Sequence, residues 1–245
     1  MTDTIRSRAQ ALLPELTAIR RDFHRFAEPG WLEMRTTSLL ARRLTDLGYE
    51  VLTGPAVCKA DARMGLPAPE TLEEHYVWAQ EHGADPDFLP VTRGGFTGVI
   101  ATMHCGEGPT VALRFDIDAL GVLEASDEAH LPAREGFASV TPGVMHACGH
   151  DGHAAVGIGT AMLLRELREQ LHGTVRLIFQ PAEEGVRGAS SIVAAGHLDD
   201  VDYALAAHVF PAGKDTGLVD IGVLAENGQG GLATSKLDVT FHGRS

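Results

Sequence analysis

The nine residues Met145-His146-Ala147-Cys148-Gly149-His150-Asp151-Gly152-His153 carry three histidines, a cysteine and an aspartate, and an apolar helical repeat begins directly after them. Thiolate, imidazole and carboxylate at this density form a donor set for a borderline transition metal. A helix start at this point favours the thiolate form of Cys148 that a metal requires. The same thiol beside histidine also suits a nucleophilic cysteine, and spacing alone leaves that reading open. In Phe179-Gln180-Pro181-Ala182-Glu183-Glu184-Gly185 two adjacent carboxylates follow an apolar stretch. Alone they would be a solvated turn. Facing a dimetal centre, one would ligate and the other, kept off the metal, would serve as general base on a water. Asp116 and Asp118 stand two apart in Arg114-Phe115-Asp116-Ile117-Asp118. They read either as acids ending a strand or as carboxylates that accept the free ring N–H of a ligating histidine and fix its tautomer. His208, between Ala207 and Val209, would by itself be a core histidine, and the other clusters turn it into a candidate ligand.

These residues need elements to bring them together. Leu12, Leu16, Ile19, Phe23 and Phe26 recur at helical spacing, predicting an amphipathic helix that ends near Pro29-Gly30. Leu40, Leu44 and Leu47 mark a second helix closed by Gly48. From Cys58 to Gly95 the chain is rich in Pro, Gly and acids and reads as a surface excursion between strands, with a short helix around Thr71 to His82. Strands are expected at Phe96–Met103, Thr110–Phe115, Val175–Phe179 and Tyr203–Ala207, and a helix at Gly188–Ala195. Val156, Thr160, Leu163, Leu167 and Leu171 suggest the buried stripe of a further helix, with Arg165 and Glu169 paired on its outer face. Alternating strands and helices imply an α/β fold with a mostly parallel central sheet flanked by helices. Ligands of such sheets gather beyond the carboxyl ends of the strands. Asp116, Asp118, Glu183, Glu184 and His208 all fall there, with Cys148 and His150 at a helix start. Arg114 and Arg187 are nearby cations that would contact either a substrate carboxylate or structural acids.

Composition narrows the function classes. A net charge of -13 argues against nucleic acid or an anionic membrane as partner. Three widely spaced cysteines do not make a disulfide framework, and Met1–Gln10 carries charges throughout, unlike a secretory signal. The longest uncharged apolar run, Ala154 to Leu164, is about half the roughly 20 residues of a membrane span. A cytoplasmic protein is the simplest expectation.

The motifs His146 to His153 and Phe179 to Gly185 resemble the dimetal family of amidohydrolases and peptidases that includes aminoacylases, hippurate hydrolases and plant auxin-conjugate hydrolases, and the likeness covers nearly all of Met1 to Ser245. The resemblance implies Cys148, His150, Glu184 and His208 as ligands of two divalent ions, Mn2+ or Zn2+. It further implies Glu183 as general base and small N-acyl or N-aroyl amino acids as substrates. Met64-Gly65-Leu66-Pro67 and Gly94-Gly95-Phe96-Thr97-Gly98, with the excursion between them, are most similar to the branch that cleaves aminobenzoyl-glutamate. Family members continue through a smaller α/β dimerisation domain and return to finish the catalytic one. The likeness therefore implies a catalytic domain over 1–229 and the first strand of a truncated second domain over 230–245, where Leu237, Val239 and Phe241 alternate with polar residues. A distal fifth histidine ligand has no matching position, so weak or absent activity is expected of this chain alone. In full-length form the family resemblance implies a homodimer or a heteromer with a related polypeptide. Two further readings stay open: a complementing, non-catalytic partner chain that pairs through the strand near Phe241, and a cysteine amidase.

Overall fold

The computed structural model describes residues 2–209 of the 245, and the residues up to His208 form one compact unit. The expected boundary at 229/230 and the strand at Leu237–Phe241 lie outside the described residues. The helices are α1 (Thr2–Arg25), α2 (Met34–Asp46), α3 (Pro69–Glu81), α4 (Leu131–Arg134), α5 (His150–Glu166) and α6 (Ala189–Ala194). The strands are β1 (Glu50–Thr53), β2 (Val99–His104), β3 (Thr110–Asp116), β4 (Thr174–Gln180) and β5 (Tyr203–Ala206).

The five strands form one sheet in the order β1-β2-β4-β3-β5. β4 pairs parallel with β3, and β3 parallel with β5, while β2 runs antiparallel to both β1 and β4. Four strands therefore point one way and β2 alone is reversed, which keeps the carboxyl ends of β3, β4 and β5 together. Register makes this concrete: Asp116 lies opposite Gln180, and Arg114 opposite Ala206. β1 carries no signal strong enough to have been expected. It is four residues long at the sheet edge, with a half-buried Val51 and Thr53 and exposed neighbours.

Alternation along the central strands sorts side chains to two faces. Val99, Ala101 and Met103 of β2 and Val175, Leu177 and Phe179 of β4 pack against Ile19 and Phe23 of α1, Leu40 and Leu44 of α2, and Ile158 and Ala161 of α5. Ile100, Ala112 and Ile178 face the other way, toward Trp31, Ala182 and Ile192 of α6. The excursion seats α3 through Leu72 and Ala79 on Leu32, Met34 and Leu89.

Two helices differ from their expected stripes. α1 ends at Arg25, so Phe26 lies in a turn, where the Arg35 guanidinium sits 4.0 Å above its ring. In α5 the small residues face inward: Ala154, Ala155, Gly157, Ile158, Gly159 and Ala161 are buried while Val156 is exposed. A Cβ on Gly157 would stand 2.5 Å from the Phe179 ring, so the helix approaches the sheet too closely for the larger residues of the expected stripe. The helix also stops at Glu166, which removes the i, i+4 geometry between Arg165 and Glu169, and Arg165 instead donates to the Leu47 carbonyl at 3.0 Å. Among the described residues no helix is long and apolar enough to cross a membrane.

Candidate metal centre

His150 is the first residue of α5, preceded by Gly149 in a left-handed turn (φ 87°). Its Nδ1 lies 2.9 Å from the backbone carbonyl of Asp118. A carbonyl only accepts, so Nδ1 carries a proton, and Nε2 is the nitrogen left to bind a cation once its own proton is displaced. Nε2 faces His208 Nε2 at 3.4 Å, Asp116 Oδ1 at 3.7 Å, Glu183 Oε2 at 3.8 Å and Glu184 Oε1 at 4.0 Å. Cys148 Sγ is 3.4 Å from the same His208 nitrogen. Two overlapping sets of ligand atoms result, each set within 4.8 Å: Cys148 with His150 and Glu184, and Asp116 with His150, His153 and His208. All seven residues singled out in the sequence thus meet at one end of the sheet, up to 92 positions apart in the chain (Asp116 to His208).

The electrostatics are compatible with a bound cation. Burial alone would lower the His150 pKa, yet Asp118, Asp116 and Glu183 outweigh it and raise it to about 9. The Cys148 thiol is pushed up to about 12, first by burial and then by the Glu184 charge. Burial and Asp118 likewise raise Glu184. Glu184 Oε1 and Asp118 Oδ1 are buried without a hydrogen-bond partner among the described residues. Buried carboxylate oxygens left unsatisfied are costly, and a divalent ion bound by these atoms would relieve both the orphaned oxygens and the crowded negative charge. Thiol, imidazole and carboxylate donors together fit such an ion.

Asp116 and Asp118 work differently from one another. Asp118 holds His150 through its carbonyl, keeps its carboxylate 3.3 Å from the ring, and accepts the Glu184 amide at 2.9 Å. Asp116 accepts from His153 Nδ1 and pairs with Arg114 at 2.7 Å, and it also offers an oxygen to the His150–His208 set. His153 stacks on His150 with ring centroids 5.3 Å apart. His146 is buried beside His24, its pKa lowered to about 4 chiefly by burial, and neither ring nitrogen has a hydrogen-bond partner among the described residues. Arg114 is taken up by Asp116 and Gln180, while Arg187 bridges the carbonyls of Glu184 and Gly65.

Sequence reasoning missed two supports. His24 reaches Asp151 at 2.9 Å and Glu124 at 2.8 Å, tying α1 to the start of α5. Glu33 is fully buried and accepts the Ala182 amide at 2.7 Å. A carboxylate inside the apolar run Trp31-Leu32-Glu33-Met34 was the available signal for Glu33. Nothing in the sequence around His24 marks its partners.

Comparison with known proteins agrees with this architecture. The chain is 49% identical over 233 residues to indole-3-acetyl-aspartic acid hydrolase of Enterobacter agglomerans, covering 95% of this chain and 52% of that protein. It is 46% identical over 234 residues to one of the subunits of p-aminobenzoyl-glutamate hydrolase from Escherichia coli, with the same coverage of 95% and 52%. The chain spans about half the length of the curated relatives it matches. Among solved structures, the Bacillus subtilis YXEP protein, described as a dinuclear metal binding peptidase, superposes with a TM-score of 0.61 at 36% identity, over 82% of this chain and 44% of that one. Residues 112–244, more than half of the sequence and including every ligand candidate, match peptidase family M20/M25/M40, and to that family the chain belongs.

Proposed function

We propose that this chain carries the metal-binding catalytic machinery of an amidohydrolase that cleaves N-acyl or N-aroyl amino acids. The observation that carries the reading is the pair of overlapping ligand sets, in which His150 is shared between Cys148 and Glu184 in one and His208 in the other, with Glu183 beside them. In this reading those four residues hold two divalent cations, Mn2+ or Zn2+, Asp116 and Asp118 fix the histidines, and Glu183 is the general base. Bound ions of this kind supply Lewis acidity and lower the pKa of water. Glu183 takes a proton from the water that attacks the amide carbonyl carbon and passes it to the departing nitrogen. The C–N bond breaks, leaving an acid and a free amine.

The names of two relatives, hydrolases of indole-3-acetyl-aspartic acid and of p-aminobenzoyl-glutamate, support an aromatic acyl group on an acidic amino acid as the substrate class. The second of these relatives is by name one component of a multi-chain hydrolase, which supports action beside a second polypeptide, in a heteromer or a homodimer. In this reading the catalytic segment lies within 1–229, and three free cysteines favour a reducing, cytoplasmic setting. A cysteine amidase draws on the 3.4 Å Cys148–His208 contact, but a thiol pushed up to about 12 is a poor nucleophile without a cation to ionise it. Calorimetric titration of the chelator-stripped chain with Zn2+ or Mn2+ tests the proposal. Tight binding that His150→Ala abolishes is expected, and no binding by the wild-type chain would overturn it.

A further inference from the structure

Glu33 stands at the N-cap position of α2, yet its side chain makes no capping bond. That task falls to Glu28, whose two oxygens accept the amides of Arg35 at 2.9 Å and Thr36 at 2.7 Å. Glu33 turns instead into the interior. One oxygen accepts the Ala182 amide at 2.7 Å and the other meets the Thr97 hydroxyl at 2.7 Å, with Glu33 and Thr97 both fully buried. Ala182 immediately precedes Glu183 and Glu184 and is held at φ 48°, a left-handed conformation that non-glycine residues rarely adopt. Such a conformation persists only where its surroundings over-determine it. Here they do. Gly188 and Arg187 donate back to the Ala182 carbonyl at 2.8 and 3.2 Å, and Asp118 accepts the Glu184 amide at 2.9 Å.

We propose that Glu33 is a positioning residue, which with Thr97 clamps the Ala182 amide and so sets the turn that presents Glu183 and Glu184 to the metal centre. Two buried carboxylates, Glu33 and Asp118, then hold alternate amides, 182 and 184, on either side of the proposed base. What the turn presents rests on the metal reading above; the clamp itself does not. Burial, and then the Asp118 charge, raise the Glu33 pKa and favour its uncharged form. Glutamine reproduces that form: its carbonyl can accept from Ala182 while its amide donates to Thr97.

Hydrogen exchange of single amides in the metal-free chain tests this, using Glu33→Met, which keeps the length but neither polar contact, and Glu33→Gln, which keeps the length, the acceptor for Ala182 and a polar partner for Thr97. Loss of a hydrogen bond to a buried acid in Glu33→Met should speed exchange at Ala182 and Glu184 by about tenfold or more. Leu177 in the middle of β4 should be unaffected, and Glu33→Gln should match wild type. Wild-type exchange at Ala182 in Glu33→Met, or equal acceleration at Leu177, would overturn the proposal. Should Glu33→Met fail to fold, Thr97→Val decides instead: faster exchange confined to Ala182 and Glu184 supports the clamp, and no change there contradicts it. Titration with Co2+ separates the two claims. A wild-type chain that takes up no Co2+ would sink the metal reading and leave the exchange result to judge Glu33; if it does bind, Glu33→Met should bind about tenfold more weakly, as expected for one lost contact.

Discussion

At the scale of single residues, the site is legible where chemistry is local and hidden where it is not. Cys148 and His150 sit two apart, and Glu183 and Glu184 are adjacent, so their density announces them. Glu33 meets Ala182 across 149 residues of sequence, and no pattern near it points there. In our reading the two glutamates differ in task. Glu184 has a buried orphan oxygen and shares a ligand set with Cys148 and His150, whereas Glu183 lies 3.8 Å from His150 and 4.0 Å from Arg114. On the proposed function, Glu183→Gln should keep the bound metal, and whatever hydrolysis of N-aroyl amino acids the chain supports should fall about 10²–10⁴-fold in kcat. Steady-state kinetics together with elemental analysis of the same sample check this. Loss of metal in step with activity would make Glu183 a ligand instead.

At the scale of elements, the order of the longer strands and helices was readable, because β2, β3 and β4 are apolar runs bounded by turn residues, whereas the four-residue β1 and α4 were not. The inward face of α5 was not. Periodicity weighs large residues, and this helix packs through small ones where the sheet comes close. Gly157→Ala tests the point, since its Cβ would press on the rings of Phe179 at 2.5 Å and Phe115 at 3.0 Å. Overpacking should cost ~1–3 kcal/mol and exceed the roughly 1 kcal/mol gained in helix propensity. Val156→Lys, on the exposed face, should change stability by less than about 0.5 kcal/mol. Thermal unfolding of both variants gives the comparison, and a destabilised Val156→Lys beside an unaffected Gly157→Ala would restore the expected stripe. The excursion is fastened to α2 by Asp85, which accepts from Arg42 Nε at 2.8 Å and from the amides of Asp87 and Phe88. Chiefly the Arg42 bond holds the Asp85 pKa below the usual carboxylate range. A depressed folded pKa contributes stability that is complete above the unfolded carboxylate pKa and is lost as pH falls through the folded one. Asp85→Asn should accordingly lower the denaturation midpoint at neutral pH and flatten its decline in acid; parallel curves for the two proteins would contradict this.

At the scale of the whole molecule, reversing only β2 leaves the carboxyl ends of β3, β4 and β5 on one edge, and the candidates arrive there from the ends of those three strands and from the start of α5. The net charge of -13 does not oppose cation binding, and local carboxylates concentrate that charge where His150 and His208 meet. Between a metal site and a cysteine nucleophile, which the sequence left open, the former is favoured in our reading by Cys148 sharing its neighbours with Glu184 and His150. The most direct test of that claim is zinc-edge X-ray absorption of the Zn2+-loaded chain. One sulfur scatterer at ~2.3 Å among nitrogen and oxygen at ~2.0–2.2 Å is predicted, with the sulfur shell lost in Cys148→Ser. A spectrum with only nitrogen and oxygen neighbours, or one that Cys148→Ser leaves unchanged, would contradict it.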